Sequence, residues 1–387
     1  MKRYVGILLI IVLVSGLIFS GCSSPASSQA PTTTSAAPAS SAAPASSVAQ
    51  TSAASPTAQA TTSSQATINL IYSTEQQEND KGNSLPMKEW MSLIEQRSGG
   101  RVKFQTNFSN ALGPMNEQFN MVTNGVSDVC YTVNVFWGQF PMNDLMQLPF
   151  SFPNATVGTR VAVQLYKEFP EMQAQYSKVK ILGIGIAEPV YIFTTKSAGA
   201  IRTSSDFKGK RIRATGINSQ ITEALGGTVT GINSMPETYL AMQKGLLDGA
   251  IAGLSVVQSV KIGEVAYYYP DWEGPKLMAF PYSLVMNLDT WNSLPADVQQ
   301  IFTDLSMDSD WWLTTKGKAY DDASQAGMDY VKAQGDEVYT VSADEIANWK
   351  ATLQPLYSKI IQEEAAKGLP AQKFVDRLAE LTAQYSK

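Results

Sequence analysis

Short apolar runs alternate along residues 67–288 with segments whose apolar residues recur at every third or fourth position. Runs of branched and aromatic residues between turns are typical of strands, and the three-to-four spacing is typical of amphipathic helices. Single strands that alternate with helices indicate an α/β fold with a mostly parallel sheet. The pattern predicts helices at 84–98, 115–123, 156–169, 219–225 and 236–244. It predicts strands at 67–73, 102–108, 126–133, 180–186, 191–195, 211–214, 228–230, 249–252 and 284–288.

The strand and helix pattern starts again near Tyr191, which indicates two parts of similar build. The roughly 320 residues of this region exceed the usual size of one domain, so we expect two lobes. Lobe I would comprise residues 67–189 and 279–320, and lobe II residues 190–278 and 321–387. Because ligands of open α/β sheets bind at the carboxyl ends of the strands, we expect a ligand cleft between the lobes.

A long helix is predicted from Pro295 to Ala333. Asp289 or Ser293 can cap its start, and a proline suits the first turn of a helix. A helix of about 35 residues would extend ~50 Å, which is longer than one lobe. We therefore expect this helix to span both lobes.

The first 21 residues have the order of charges and apolar residues that is typical of a signal peptide. Lys2 and Arg3 precede an apolar run that stops at Ser20-Gly21-Cys22. A membrane-spanning helix needs about 20 apolar residues, and this run is shorter. The segment before Cys22 resembles the lipobox of bacterial lipoproteins, although Phe19 stands where leucine is usual. We predict that Cys22 is acylated and becomes the new N-terminus.

Residues 22–66 are predicted to comprise the lipidated cysteine and a tether. Residues 23–65 consist of Ser, Ala, Pro, Thr and Gln with a single Val. A segment of this composition cannot bury a core and stays disordered, with a root-mean-square reach of roughly 36 Å. The expected location is extracytoplasmic, with the body lipid-anchored at the outer face of the cell membrane or in the periplasm.

The composition excludes several classes of chemistry. The sequence contains no histidine, which excludes Ser-His-Asp and Cys-His catalysis and histidine-ligated metals. No phosphate-binding loop, dinucleotide fingerprint or calcium-binding loop is present, so we expect no catalytic residues, no metal and no cofactor. Acidic residues exceed basic ones by 34 to 29, which argues against a nucleic-acid partner. Cys130 lies in an apolar strand pattern and is predicted to be a buried structural thiol.

Seven short motifs, in register over most of residues 67–315, resemble the extracytoplasmic solute-binding subunits of tripartite ATP-independent periplasmic (TRAP) transporters. The resemblance implies a periplasmic-binding-protein-like fold of two α/β lobes with mixed sheets, crossing strands at the hinge and a long helix across both lobes. It also implies an organic acid ligand, membrane permease subunits as partners, and import driven by an ion gradient. The motifs are Ser98 to Phe104, Asn110 to Gly113, Val122 to Asp128, the pair Phe140 to Asp144 with Leu148 to Phe150, Asp206 to Arg213, Tyr239 to Gly249 and Asn287 to Pro295.

The resemblance assigns the ligand carboxylate to Arg213, the arginine of the family's Lys-x-Arg motif. A guanidinium stays charged and presents a rigid fork that fits a carboxylate with two parallel hydrogen bonds. An alternative is that Arg213 pairs with an acidic side chain of the protein. The sequence Asp248-Gly249 leads to Ala250 rather than to the asparagine that contacts the ligand in sialate and C4-dicarboxylate binders. Residues 190–195 also lack a second basic residue, so a ligand with one carboxylate is expected.

Further candidate ligand contacts lie near the predicted strand ends. Aromatic faces can bury a ring or an alkyl body, while a few polar groups orient the ligand. For each apolar candidate, packing in the core is an equal alternative. Two polar candidates stand in loops after strands, and the complete set beside Arg213 is Tyr72, Asn134, Phe136, Trp137, Tyr191, Phe193, Asn233 and Met235.

The leading hypothesis is a solute-binding subunit that captures an aromatic or apolar monocarboxylate between its lobes and delivers it to a permease. A sensor that presents its ligand to a signalling receptor would need the same closing lobes, and the sequence leaves this alternative open. An enzyme on the same scaffold is a third alternative. The absence of histidine and of a paired-carboxylate motif argues against it.

Overall fold

The computed structural model describes residues 66–134, 138–232 and 234–387. The signal peptide, Cys22 and the tether that the sequence predicts lie outside the described residues. Within these ranges ten strands form one mixed sheet, and they are β1 Ile68–Thr74, β2 Val102–Asn107, β3 Val129–Val133, β4 Val179–Thr194, β5 Arg211–Arg213, β6 Thr228–Thr230, β7 Gly249–Gly253, β8 Tyr268–Asp271, β9 Met278–Asn287 and β10 Glu337–Thr340.

The sheet has two parallel ends joined by a central antiparallel pair. The path runs β2-β1-β3-β9-β4-β7-β5-β6, while β8 and β10 branch from β4. β1 is parallel to β2 and β3, and β5 is parallel to β6 and β7. The central strands β4 and β9 are antiparallel to each other, and each is antiparallel to the neighbouring parallel group. The predicted α/β class with mixed sheets is confirmed, and the lobe boundaries remain a prediction.

β4 is one continuous strand of sixteen residues, so the prediction of two separate strands at 180–186 and 191–195 is wrong. Glu188 and Pro189 broke the apolar pattern in the sequence. In the structure they fall within β4, at an irregularity in its register with β9 between Ile186 and Pro189. A bulge at this point lets the strand continue although proline offers no backbone donor.

Helices pack on both faces of this sheet. The first half contains α1 Ser84–Arg97, α2 Gln118–Thr123, α3 Pro141–Met146, α4 Ala155–Glu168 and α5 Pro170–Ala174. The remaining helices are α6 Ile217–Ala224, α7 Met235–Gln243, α8 Ser255–Ser259, α9 Leu288–Ser293, α10 Ala296–Thr303, α11 Gly317–Gln334, α12 Ala343–Ala366 and α13 Ala371–Tyr385.

The predicted continuous helix over residues 295–333 is wrong, because the chain breaks between α10 and a π-helical turn, Trp311–Lys316. The backbone N–H of Met307 donates to the carbonyl of Leu182 on β4 at 2.8 Å instead of to a helical carbonyl. The hydroxyls of Ser306 and Ser309 also donate to nearby backbone carbonyls, an alternative to helical bonding. After the break, the π-helical turn leads directly into α11, which packs on α4 and on α8.

Asp128 and Asp248 make the same contact in the two parallel ends of the sheet. Asp128 precedes β3 and accepts the backbone N–H of Ile71 on β1 at 2.8 Å. Asp248 precedes β7 and accepts the backbone N–H of Arg211 on β5 at 2.8 Å. The restarting pattern in the sequence therefore corresponds to a repeated local structure.

Lys316 is fully buried at the junction of the π-helical turn with α11. Its ammonium donates to the carbonyl of Gly82 at 2.7 Å and lies over the rings of Tyr131, Tyr282 and Tyr320 at 4.8, 5.0 and 4.1 Å. Burial lowers the pKa of Lys316 well below its ordinary value. The contact with Gly82 fixes the loop before α1 to the start of α11.

Cys130 is fully buried in β3, which confirms the prediction of a buried thiol. Burial raises its pKa well above the ordinary value, as expected for an unreactive thiol. Across residues 66–134, 138–232 and 234–387, no helix combines the length and the apolar character that crossing a membrane requires.

Gly183 on β4 offers a test of the packing between the sheet and the π-helical turn. A Cβ at this position would lie 2.0 Å from the ring of Trp312, whose indole N–H donates to the carbonyl of Ile184 at 2.9 Å. We expect Gly183→Ala to lower the free energy of unfolding by about 2 kcal/mol or more, measured by urea denaturation. Gly231→Ala is the control, because a Cβ there meets no atom within 4 Å. Equal stability of the two variants would contradict this packing.

Candidate ligand-binding site

A cleft of about 1000 Å³ opens at the carboxyl ends of the strands. One wall comes from loops that follow β1 and β2, and the opposite wall comes from β5, β6, β7 and the residues after them. The middle of β4, Phe280 on β9 and Tyr320 on α11 lie between the two walls. This is the location expected for a ligand of an open α/β sheet.

Arg213 projects into the cleft from the end of β5. Its side chain is buried, and the strand ends there because the chain turns at Gly216, whose φ is 57°. The Nε group donates to the carbonyl of Ile232 at 3.0 Å, and Nη1 donates to the carbonyl of Ile251 at 3.3 Å. Two backbone carbonyls thus fix the direction of the guanidinium. Burial lowers the pKa of Arg213 to about 10, so the group remains charged at neutral pH.

Arg211, at the other end of β5, has a different environment. It is partly exposed and forms two hydrogen bonds with the carboxylate of Asp248, each at 2.9 Å. Because Asp248 also bonds the backbone of β5, this arginine stabilises the strand rather than the cleft. The two arginines of the motif therefore have separate tasks.

Glu188 lies at the floor of the cleft, in the bulge of β4. Its carboxyl accepts hydrogen bonds from the backbone N–H of Ser255, at 3.1 Å, and from the hydroxyl of the same residue. Burial raises the pKa of Glu188 to about 8, and the nearby carboxyl of Asp80 adds to the shift. A neutral carboxyl group therefore lines the cleft at neutral pH.

The wall formed by the loops after β1 and β2 is polar. It presents Gln76, Asp80, Asn110 and Asn116 to the cleft. Asp80 accepts the backbone N–H of Asn83 at 2.6 Å, and burial raises its pKa. Asn110 adopts the left-handed backbone conformation, with φ of 62°, which asparagine tolerates better than most residues.

Most of the other lining groups are apolar. Side chains without polar atoms can cover a hydrocarbon or aromatic ligand body, while the few polar groups determine its orientation. They come from both walls and from the floor, and they are Pro114, Met115, Val133, Ala187, Val190, Ala214, Val229, Met235, Ile251, Ala252, Val256 and Phe280.

Two of the residues predicted from the sequence line this cleft, namely Arg213 and Met235. Tyr191 lines a separate cavity beside Lys276. Phe193 packs in the core, where its ring centroid lies 5.8 Å from that of Tyr269. The reason is the alternation of side chains along a strand, which directs Tyr191 and Phe193 to the face opposite that of Val190.

The other predicted residues have varied positions. Tyr72 is fully buried beneath Phe108, with ring centroids 5.9 Å apart. Asn134 follows the lining residue Val133, is buried, and donates to the hydroxyl of Tyr176 at 3.4 Å. Neither side chain is part of the cleft surface. Three further candidates lie outside the described residues, and they are Phe136, Trp137 and Asn233.

Sequence reasoning missed the two carboxyl groups of the cleft and its two aromatic lining residues, Phe280 and Tyr320. Glu188 carried a usable signal, since it is a single charged residue beside a proline within an otherwise apolar strand pattern. Asp80 had no such signal, because its loop is polar throughout. Tyr320 was placed on a helix correctly, but only tertiary packing shows that it faces the cleft. Among the residues that the structure describes, no group of three or more Cys, Asp or Glu side chains could hold a metal ion.

A family model described as "Bacterial extracellular solute-binding protein, family 7", named DctP, matches residues 73–364. The match includes both parallel ends of the sheet, the cleft and Arg213. The chain belongs to the DctP family. The resemblance to TRAP solute-binding subunits is thereby confirmed, and the chain is a solute-binding protein rather than an enzyme.

Known relatives of this DctP-family protein agree with that conclusion. A solute-binding protein of Verminephrobacter eiseniae is 27% identical over 216 residues, which are 54% of this chain and 62% of the relative. A TRAP solute-binding protein from Rhodoferax ferrireducens, in complex with copurified benzoate, has a TM-score of 0.75 at 23% identity and covers 83% of this chain and 99% of its own.

A second structure shares the fold of this DctP-family protein. It is a marine metagenome TRAP solute-binding protein specific for aromatic acid ligands, in complex with 3-hydroxybenzoate. The TM-score is 0.76 at 21% identity, over 84% of this chain and all of that one. At these identities, likeness to the two structures shows the fold alone.

Glu75, beside the polar wall, provides a test of burial in this DctP-family protein. Its carboxyl is buried and accepts the N–H of Val133 at 2.9 Å, and burial raises its pKa to about 7. Because the folded-state pKa exceeds the ordinary value, its contribution to stability is complete below pH 4.5 and is lost as the pH rises through about 7.

Between pH ~5 and ~7 the unfolding free energy of the wild type should therefore fall as Glu75 ionises in the unfolded state. In Glu75→Gln this fall should be less steep, by up to about 1.4 kcal/mol per pH unit. Urea denaturation at several pH values measures this slope. The control is Glu78→Gln, because Glu78 is exposed and pairs with Lys88 at 2.9 Å. A slope in Glu75→Gln equal to that of the wild type would contradict the assignment.

Proposed function

We propose that this protein captures an organic monocarboxylate with an aromatic or apolar body in the cleft. The observation that carries the proposal is the position of Arg213, whose charged guanidinium lines a predominantly apolar cleft and is directed by two backbone carbonyls. A carboxylate at this arginine would form charge-assisted hydrogen bonds away from bulk water. The lining side chains would cover the rest of the ligand.

The apolar lining of the cleft favours a ligand with one carboxylate over a ligand with two. A second carboxylate on the ligand would face apolar side chains or the carboxyl groups of Asp80 and Glu188. The described lining residues include one arginine and no lysine. Benzoate and 3-hydroxybenzoate are the acids held by the two similar structures, and acids of this kind fit the chemistry of the cleft.

Membership of the DctP family supports a role in transport. We infer that the lobes close over the ligand and that the closed form delivers it to TRAP permease subunits, with import driven by an ion gradient. A sensor that presents the same ligand to a receptor is the alternative. Genes for a permease beside the gene for this chain would favour transport, and a neighbouring sensor kinase would favour sensing.

Calorimetry on matched arginine variants tests the role of Arg213. We expect the wild type to bind at least one acid from a panel of aromatic, branched and 2-oxo acids. Arg213→Lys should weaken binding by about 100-fold or more, because the bidentate geometry is lost at a buried site. Arg211→Lys is the control on the same strand and should retain the wild-type affinity, since Arg211 pairs with Asp248.

Two outcomes would contradict this function. One is that the wild type binds none of the acids in the panel. The other is that Arg213→Lys and Arg211→Lys bind with the same affinity as the wild type. Thermal melting of each variant without ligand shows whether the fold is intact, so that a loss of binding is not mistaken for a loss of structure.

The lipid anchor at Cys22 is also a proposal. An acylated cysteine and the 43 residues that follow it would keep the body near its permease and raise the local concentration of the ligand complex. Because acylation requires the thiol, Cys22→Ser should move the protein from the membrane fraction to the soluble fraction while ligand affinity stays unchanged. Retention of Cys22→Ser in the membrane fraction would show that the preceding segment is itself an anchor.

A further inference from the structure

Glu188 occupies a position that the fold creates specifically for its carboxyl group. It lies in the bulge of β4, opposite the end of β7, where Val190 pairs with Gly253. A Cβ at position 253 would lie 2.3 Å from Oε1 of Glu188, so the carboxyl group sits directly against the backbone of β7. Only glycine at this position leaves space for it.

The carboxyl of Glu188 and the guanidinium of Arg213 lie above the same short piece of β7. Nη1 of Arg213 donates to the carbonyl of Ile251, and Glu188 contacts Gly253 two residues later. Two residues of a strand span about 7 Å. A small ligand whose carboxylate is on Arg213 can therefore reach across Ala252 to Glu188.

Hydrogen bonds to Ser255 leave part of the carboxyl available. The N–H of Ser255 donates to one oxygen of Glu188 and its hydroxyl donates to the other, whereas a protonated carboxyl group still has an O–H donor to offer. Glu188 and Ser255 both belong to the surface of the cleft. Capping of α8 alone would not require the carboxyl to face a ligand cavity.

The surroundings of Glu188 keep it neutral at neutral pH. Burial raises its pKa to about 8, and Asp80 on the facing loop contributes to this shift. Glu188 in turn contributes to the raised pKa of Tyr191 on β4. Tyr320 on α11 and Arg213 on β5 line the same cleft as Glu188. A neutral carboxyl can donate a hydrogen bond to a hydroxyl or oxo group, whereas an ionised one repels an anion.

Resting on the proposed function, we propose that Glu188 is the specificity-determining residue at the end of the cleft away from Arg213. The neutral carboxyl binds a hydroxyl or oxo group of the ligand, and the same carboxyl rejects a second carboxylate at this place once it ionises. The ligand class is thereby narrowed to carboxylates that carry a polar group on the body, with dicarboxylates increasingly disfavoured as the pH rises.

Three aromatic probes test this selection, namely benzoate, 3-hydroxybenzoate and benzene-1,3-dicarboxylate. At ring position 3 these probes carry a hydrogen atom, a hydroxyl group and a second carboxylate, respectively. Calorimetry at pH ~6 and pH ~9 brackets the ionisation of Glu188, while Arg213 and the phenol of the probe remain in their neutral-pH forms for the most part. The quantity of interest is the Kd of the dicarboxylate divided by the Kd of 3-hydroxybenzoate.

In the wild type this ratio should rise about tenfold or more between the two pH values, because ionised Glu188 repels the second carboxylate. In Glu188→Gln, which retains hydrogen bonds to Ser255 but has no charge, the ratio should change less than about twofold. Glu78→Gln is the control from the facing loop and should show the wild-type rise, because Glu78 is exposed and does not line the cleft. A merely structural Glu188 would leave the ratio independent of pH in all three proteins.

Several results overturn the inference. It fails if the wild-type ratio is constant, if Glu188→Gln shows the wild-type rise, or if Glu78→Gln removes the rise. If Glu188→Gln does not fold, Glu188→Asp withdraws the carboxyl by one methylene, and a retained preference for 3-hydroxybenzoate over benzoate then overturns the inference. If the wild type binds none of the three probes, the proposed function itself is wrong for aromatic acids. Binding without the pH effect refutes only the role of Glu188.

Discussion

β4 pairs with β9 along much of its length and then pairs with β7, and the position of every other part of the cleft depends on this continuity. The first segment of β4 joins the sheet end that contains β1, β2 and β3, through β9. Its second segment joins the end that contains β5, β6 and β7. The bulge at Glu188 lies where one pairing gives way to the other, and it forms the floor of the cleft.

Backbone groups position the ionisable side chains of the cleft. Carbonyls of Ile232 and Ile251 direct Arg213, and the N–H of Ser255 holds Glu188. These backbone groups lie on β7, just after β6 and at the start of α8, so a ligand meets preformed polar groups and little ordering accompanies its binding. On the other wall, Lys316 attaches the loop that carries Asp80 to α11 through the carbonyl of Gly82. That helix also packs on α4 and α8, so this wall depends on contacts at both ends of the sheet.

Periodicity in the sequence predicted most strands and helices and the α/β class, because local patterns record which residues are buried. The family motifs placed Arg213 correctly at the end of a strand. Long-range contacts explain what the sequence did not predict. The helix over 295–333 is interrupted because Met307 bonds to β4, and Tyr191 faces away from the cleft because β4 continues through its bulge. Glu188 and Asp80 become ligand candidates only when distant segments are brought together, which no local pattern records.

The central claim is that Arg213 binds the ligand carboxylate in this cleft. The most direct measurement is a crystal structure of the protein with the tightest-binding monocarboxylate. We predict that both carboxylate oxygens lie within hydrogen-bonding distance, about 2.7 to 3.0 Å, of the guanidinium of Arg213. The ligand body should lie over Ile251 and Ala252. A carboxylate bound instead in the cavity beside Tyr191 and Lys276, with no ligand contact to Arg213, would contradict it.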